Sequence, residues 1–452
     1  MQIQFLGAAG VVTGSCYVLT GESGQTVMID CGLFQGTAEI EKNNFSPIEC
    51  DCTQLSGIIL THAHLDHCGR LPTLLAQGFH QDVWMTPATR DITEISLYDA
   101  AKINAQDHPE HPLYEEKDVT DILNRVKTIE YDQPFSIGNF SITFRDAGHI
   151  LGSAMVEIID QSATSQLKKV VFSGDLGNTP QDLICPTAVI NSGDVVVMES
   201  TYGDRVHPIE DSAAVLQSEI QAVEANSGTL LIPCFSIERS QELLHLCVHL
   251  KKEGRIKEGT PIYFDSPMAE KVTAVFEQYP QLYNEELKHE AKHGTPFHFP
   301  GLRVVMNQDV RAEMNGVEGA KVIVAGSGMM NGGRIVSHAQ RYLPLATTRL
   351  LFVGYQSEAT LGRSILEGQK SVKIKGEFIQ VNATVNQTHS MSSHADQPKL
   401  LNWLARIEGV KKVFLTHGED VSRQALAAKI QSELHISEVI LPKPNQVILM
   451  IV

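Results

Sequence analysis

Residues 61–67 read THAHLDH and follow directly on the apolar run GIIL. Three histidines and an aspartate fall within six positions of this stretch. Imidazole nitrogen is a good ligand for zinc and its neighbours, and a carboxylate adds a charged oxygen. His62 and His64 alternate as they leave a predicted strand, so both can face one point. Asp66 and His67 sit in the turn that opens a predicted helix and can face a second point nearby. The plain alternative is a solvated polar loop, but a surface turn seldom concentrates this set. Further ligands would have to come from distant segments. His149 in RDAGHILGSA, Asp175 in VVFSGDLG and His417 in VFLTHGE each follow an apolar run. Polar residues just past strand ends are where α/β proteins gather their sites.

The elements that must position these residues are short. IQFLG, SCYVLT, TVMID and GIIL are apolar runs punctuated by glycine, and GRLPTLLAQGF reads as a helix behind the histidine turn. Strands resume at TIEYD, FSITFRDAG, AMVEII, KKVVFSGD and DVVVMEST. From about residue 207 the texture changes. Helical stretches such as SQELLHLCVHLKKEG alternate with buried-strand patterns such as GTLLIPCF, PIYFDS and AKVIVAGSG. That alternation predicts a parallel α/β domain. Strand-like sequence returns at VKIKGEFIQVNATV, followed by the helix PKLLNWLARI. The expectation is a β-rich first domain over 1–206, an inserted domain over 207–365 and a return segment over 366–452.

The chain of 452 residues is too long for one ordinary core, and 42% hydrophobic with 20% charged residues is ordinary globular composition. No apolar run is long enough for a membrane span, and MQIQFLGAAG lacks the basic and apolar regions of a secretory signal. Eight cysteines without regular spacing suggest reduced thiols and a cytoplasmic location. Cys50-x-Cys52 reads as two thiols near a strand end rather than a metal site. His108 and His111, in QDHPEHPLY, read as a proline-bounded loop rather than a further one. The net charge of −17 counts against tight nonspecific nucleic-acid binding. It leaves room for an enzyme whose cleft is locally positive.

At this point the chain resembles a family. THAHLDH, AGHILGSA, SGDLG and THGE look like the ligand motifs of the metallo-β-lactamase fold. VVVMESTYGDR, GYQSEATLGR and SSHAD are similar to motifs of its β-CASP branch, which holds ribonuclease J, the cleavage and polyadenylation endonuclease, and bacterial and archaeal relatives. The resemblance runs nearly the full length, in order. It implies an α/β architecture, a metallo-β-lactamase αββα sandwich interrupted by an α/β β-CASP domain. It also implies two zinc ions: His62, His64 and His149 on one, Asp66, His67 and His417 on the other, and Asp175 bridging. Asp30 in VMIDCG would orient the ligand turn rather than bind metal. The catalytic set it implies is Asp66, Asp175, Glu199 and His394. His394, in SMSSHAD, would be the proton donor or a phosphate binder, and Glu199, in MESTYGDR, its carboxylate partner.

The loop before His394, NQTHSMSSHAD, departs from the family pattern, with serine, methionine and an extra His389 where relatives often carry glycine and an aromatic residue. Anion-binding candidates in the inserted domain are Arg239 at a helix start, Ser327 and Arg334 in the glycine-rich AGSGMMNGGR, and Arg363 at the end of GYQSEATLGR. The implied activity is cleavage of RNA, from within or from the 5′ end. A small-ester or thioester hydrolase, a DNA nuclease and a catalytically inactive partner subunit are the alternatives. His417 favours RNA, since DNA-processing relatives tend to carry valine there. With no RNA-binding appendage evident, affinity for RNA has to come from the cleft, from a homodimer or from a partner.

Overall fold

Along Phe140–Asp146 burial follows the side-chain alternation: Phe140, Ile142 and Phe144 are buried, and the residues between them are partly exposed. Period-two burial of this kind makes a strand with one wet face and one core face. Residues 170–172 and Val195–Met198 are apolar and buried without alternation, as strands covered on both faces are. The computed structural model describes residues 1–450 except 166, 179–182, 358–359 and 389. His389 therefore lies outside the described residues.

The chain forms two compact units, residues 1–206 with 393–452, and residues 207–392. The first contains two seven-stranded sheets. One runs, in spatial order, Gln446–Leu449, Gln2–Phe5, Tyr17–Thr20, Thr26–Ile29, Leu55–Ile59, Val83–Met85 and Val126–Thr128. The other runs Glu438–Ile440, Lys412–Leu415, Val195–Met198, Lys169–Phe172, Ala154–Asp160, Phe140–Asp146 and Phe135–Ile137. Phe5, Tyr17, Leu19 and Ile29 of the first sheet pack against Phe144, Val156, Phe172, Val197 and Phe414 of the second. Helices Pro87–Asp107 and Glu116–Leu123 cover the outer face of the first sheet through Leu97, Ala101, Val119 and Ile122. Helices Gln397–Ala405 and Asp420–Lys429 cover the second through Leu400, Leu404 and Leu426. The result is an αββα sandwich.

The second unit is built on a six-stranded sheet, Leu302–Val304, Ile262–Asp265, Lys321–Ala325, Thr229–Pro233, Thr348–Phe352 and Thr384–Gln387. All its neighbours run parallel. Helices Arg239–Lys252, Pro267–Phe276, Gln308–Gly316 and Gly333–Tyr342 lie in the crossovers that parallel strands require.

Two features differ from the sequence expectation. The return to the first unit comes at residue 393 rather than 366, because Thr384–Gln387 pairs with Thr348–Phe352 and completes the second unit's sheet. Of the helix expected over GRLPTLLAQGF, residues 69–79, only the single turn Thr73–Ala76 forms, directly after Pro72; a separate turn, Leu65–Cys68, precedes the stretch. Within the first unit the outgoing and returning segments lie side by side. Tyr202 bridges Asp396 in parallel, and the Gln397 amide donates to the Arg205 carbonyl at 3.1 Å.

Candidate active site

Parallel pairing brings strand ends into a row. Lys169–Phe172, Val195–Met198 and Lys412–Leu415 are parallel neighbours, so Asp175, Glu199 and His417, which follow them, come out at one edge. In the facing sheet Thr26–Ile29 and Leu55–Ile59 are parallel too, and deliver Asp30 and the histidine turn. His149 sits in the hairpin between Phe140–Asp146 and Ala154–Asp160. Each ligand candidate thus leaves a rigid strand within a few residues.

The turn itself is held by its backbone and by Asp30. The Ser15 amide donates to the Asp66 carbonyl at 2.9 Å, and the Cys31 amide to the His67 carbonyl at 2.7 Å. Between them Gly32 lies so close that a Cβ there would meet the Asp66 carbonyl oxygen at 1.6 Å. Buried Asp30 accepts from the Thr61 amide at 2.8 Å, the Thr61 hydroxyl at 2.9 Å and His67 Nδ1 at 2.7 Å. A carboxylate on Nδ1 sets the imidazole's orientation and leaves Nε2 facing inward. That nitrogen is 3.3 Å from Asp175 Oδ2.

The donor atoms fall into two groups. Those of His62, His64, His149 and Asp175 lie within 4.8 Å of one another, and so do those of Asp66, His67 and His417. Asp175 touches both. Its Oδ2 is 3.4 Å from His62 Nε2 and 3.7 Å from His149 Nε2, and its Oδ1 is 3.6 Å from His417 Nδ1. His417 Nε2 in turn lies 3.3 Å from Asp66 Oδ2. Burial holds His62 and His149 well below the usual histidine range and pushes His64 down to about 4. Neutral imidazoles keep a lone pair for a cation. Asp175 stays ionised although burial opposes it, because His417, His67 and His62 surround it. Among the described residues, buried Asp175 Oδ1 has no hydrogen-bond partner. An unsatisfied carboxylate oxygen in a ring of imidazole nitrogens is an arrangement that a divalent cation completes, so the residues present fit a metal.

Beside the two groups stands a third. Buried Glu199 accepts from the Leu176 amide at 2.7 Å, the Thr201 amide at 3.2 Å and His394 Nδ1 at 3.2 Å. The His394 ring packs against His149, centroids 4.6 Å apart. Burial works against protonation of His394, but the Glu199 carboxylate, with Asp175 and Asp66 behind it, pushes the imidazole up to about 9.

Comparison with known proteins places this geometry. Residues 9–200 match the metallo-β-lactamase superfamily, residues 240–365 the Beta-Casp domain, and residues 379–442 the Zn-dependent metallo-hydrolase RNA specificity domain. A ribonuclease of Thermus thermophilus is 36% identical over 428 residues, spanning 94% of this chain and 95% of that protein. The chain belongs to the β-CASP family of the metallo-β-lactamase superfamily. It is a metal-dependent hydrolase. Another β-CASP relative, the transcription termination factor FttA of Methanosarcina mazei, is 29% identical over 96% of this chain and 70% of its own length. A solved structure, a protein of unknown function from Enterococcus faecalis, shares the fold with a TM-score of 0.54 at 12% identity, over 99% of each chain.

The seven residues predicted as ligands all stand in the two groups, and Glu199 with His394 in the third. The four anion-binding candidates belong to the second unit of the β-CASP chain. Arg239 is buried and pairs with Glu242. Arg334 pairs with buried Asp265 and donates to the Val305 carbonyl at 2.9 Å. Arg363 pairs with Glu367 at 2.6 Å, and Ser327 is partly exposed. Sequence reasoning missed the residues that hold others in place. The Thr201 hydroxyl lies 3.1 Å from His417 Nδ1. Asp265 receives His338 at 2.8 Å as well as Arg334. Its position at the end of PIYFD is the same strand-end signal that marks Asp175. His108 and His111 are exposed, and among the described residues they join no metal-capable group. Among the described residues no disulfide joins the cysteines, and the thiols of Cys50 and Cys52 lie 3.7 Å apart. No helix among the described residues is long and apolar enough to cross a membrane.

Proposed function

We propose that the chain is a zinc-dependent ribonuclease that hydrolyses RNA phosphodiester bonds. His62, His64 and His149 would hold one zinc, Asp66, His67 and His417 a second, with Asp175 between them. The observation that carries this is the division of seven inward-facing donors into two groups that meet at the two oxygens of Asp175. When bound, two such ions supply an acidified water and positive charge against the transition state of an in-line displacement.

The chain's own residues do the rest. Asp30 fixes the His67 ring, and Thr201 the His417 ring. The Glu199 carboxylate holds His394 Nδ1, so the proton available for transfer is on Nε2. Breaking an RNA link expels a sugar alkoxide, a poor leaving group. A proton passed from His394 to that oxygen as the P–O bond breaks leaves it as a neutral hydroxyl, an effect of about 10²–10⁴ in rate. RNA as substrate is supported by the match of residues 379–442 to an RNA specificity domain and by the ribonuclease relative.

The test is cleavage of end-labelled RNA bearing a 5′-phosphate or a 5′-hydroxyl, by zinc-loaded wild type and by Asp175→Ala. Wild type should yield labelled fragments or nucleotides and Asp175→Ala none. Intact RNA alongside turnover of a thioester would reject the reading.

A further inference from the structure

The second unit holds a cluster that no step above uses. On the helix Arg239–Lys252, His245 and His249 are four residues apart and so share a face. Glu290, on the helix Glu285–Ala291, meets them. His245 Nε2 is 2.9 Å from Glu290 Oε2, His249 Nε2 is 3.1 Å from Glu290 Oε1, and the two Nε2 atoms are 3.1 Å from each other. We infer that His245, His249 and Glu290 form a further metal site, for a single divalent cation of the zinc class, that ties these two helices together.

Three observations carry this beyond an ion pair. The first is chemical. For both rings to donate to Glu290, each Nε2 must carry a proton, and two N–H groups would then converge across 3.1 Å. One cation between them replaces both protons and accepts both lone pairs. The second is geometric. Bonds of about 2.0–2.1 Å in a tetrahedron place ligand atoms about 3.3 Å apart. The three separations here are 2.9, 3.1 and 3.1 Å, close enough for one cation to reach all three donors. The third is the donor set. Two imidazoles and a carboxylate suit zinc, cobalt or nickel rather than calcium or magnesium, which prefer all-oxygen shells. His245 is buried, whereas the His249 and Glu290 side chains are partly exposed, so the fourth position opens to water.

A role follows from the local packing. Leu287 is the one buried residue of Glu285–Ala291, so little apolar burial holds this helix. A cation shared with the longer helix would anchor it. The proposal is independent of the catalytic reading, since it uses none of the seven residues assigned to the catalytic metals.

The test is metal content of zinc-loaded, desalted protein by elemental analysis, comparing wild type with His249→Ala and with Glu290→Gln. Each variant should hold about one zinc fewer per chain than wild type. Cobalt loading should give a visible d–d band in wild type that weakens in the variants. Zinc should slow proteolysis within residues 277–300 of wild type, and do so less in the variants. The partly exposed positions of His249 and Glu290 make folding failure improbable, and circular dichroism checks it; should one variant fail to fold, the other decides. Metal content equal to wild type in a folded variant overturns the proposal, leaving a hydrogen-bonded cluster.

Discussion

His394 Nδ1 meets a carboxylate that already takes two backbone amides, so Glu199 is held in place beneath the ring. In the proposed mechanism the histidine is the mobile proton carrier. His394→Ala should lower kcat on RNA by about 10²–10⁴ while metal content stays at the wild-type level. A nitrophenyl phosphodiester, whose leaving group needs little protonation, should lose much less. Equal losses on both substrates would make His394 a phosphate binder, and lost metal would make it a ligand. The pH dependence has a definite sign. The imidazole is pushed up to about 9, so it is charged through neutrality and activity falls as pH rises past its pKa. Cations in the adjoining site repel that charge and draw the limb back toward neutral pH. Glu199→Gln removes the partner that holds the proton, so the alkaline limb of the kcat–pH profile should move to lower pH. A limb that does not move would separate Glu199 from the proton.

Elements matter here through the gaps between them. Gly32 passes so close to the Asp66 carbonyl that any side chain must push the ligand turn off its strand. Gly32→Ala should destabilise the first unit by about 1–3 kcal/mol, the cost of overpacking, and reduce metal content in the same preparation. Denaturant unfolding with parallel elemental analysis measures both, and a stable variant with full metal would show the turn to be adjustable. That these seven residues gather in two groups was legible because most of them follow an apolar run, and strand ends in parallel sheets gather at one edge. The point of return was not. VKIKGEFIQVNATV reads as strand in either unit, and only the pairing of Thr384–Gln387 with Thr348–Phe352 decides between them. The helix behind the turn was read too long because the apolar spacing of GRLPTLLAQGF outweighed its Pro72. Arg334 opens the helix Gly333–Tyr342 just after a glycine-rich loop, while its partner Asp265 is 69 residues away in sequence. The pair His245 and His249 lay unread inside an apolar helix because Glu290, the third corner, comes from another one.

For the molecule as a whole, a buried set of imidazoles and carboxylates makes metal part of the fold's stability. A ligand that binds only the native state stabilises by RT ln(1 + [L]/Kd), about 4 kcal/mol at a thousandfold excess over Kd. Chelation should therefore abolish RNA cleavage and lower the melting midpoint by several degrees, and returning zinc should restore both. A midpoint indifferent to chelator would mean that the site is held by protein contacts alone. The side-by-side run of Tyr202–Arg205 and Asp396–Gln397 has a consequence for how such a protein can be rebuilt. Departure and re-entry share one doorway, so topologically residues 207–392 are a cassette plugged into a single socket of the sandwich. A short glycine–serine bridge from 206 to 393 should close that socket without stretching either sheet. The resulting core should fold, take up metal and hydrolyse a nitrophenyl phosphodiester, while losing its grip on RNA. Failure to fold would show that the socket needs its plug. Success would make the hydrolase a chassis for exchangeable recognition modules, each joined within a few residues of Glu199 and His394.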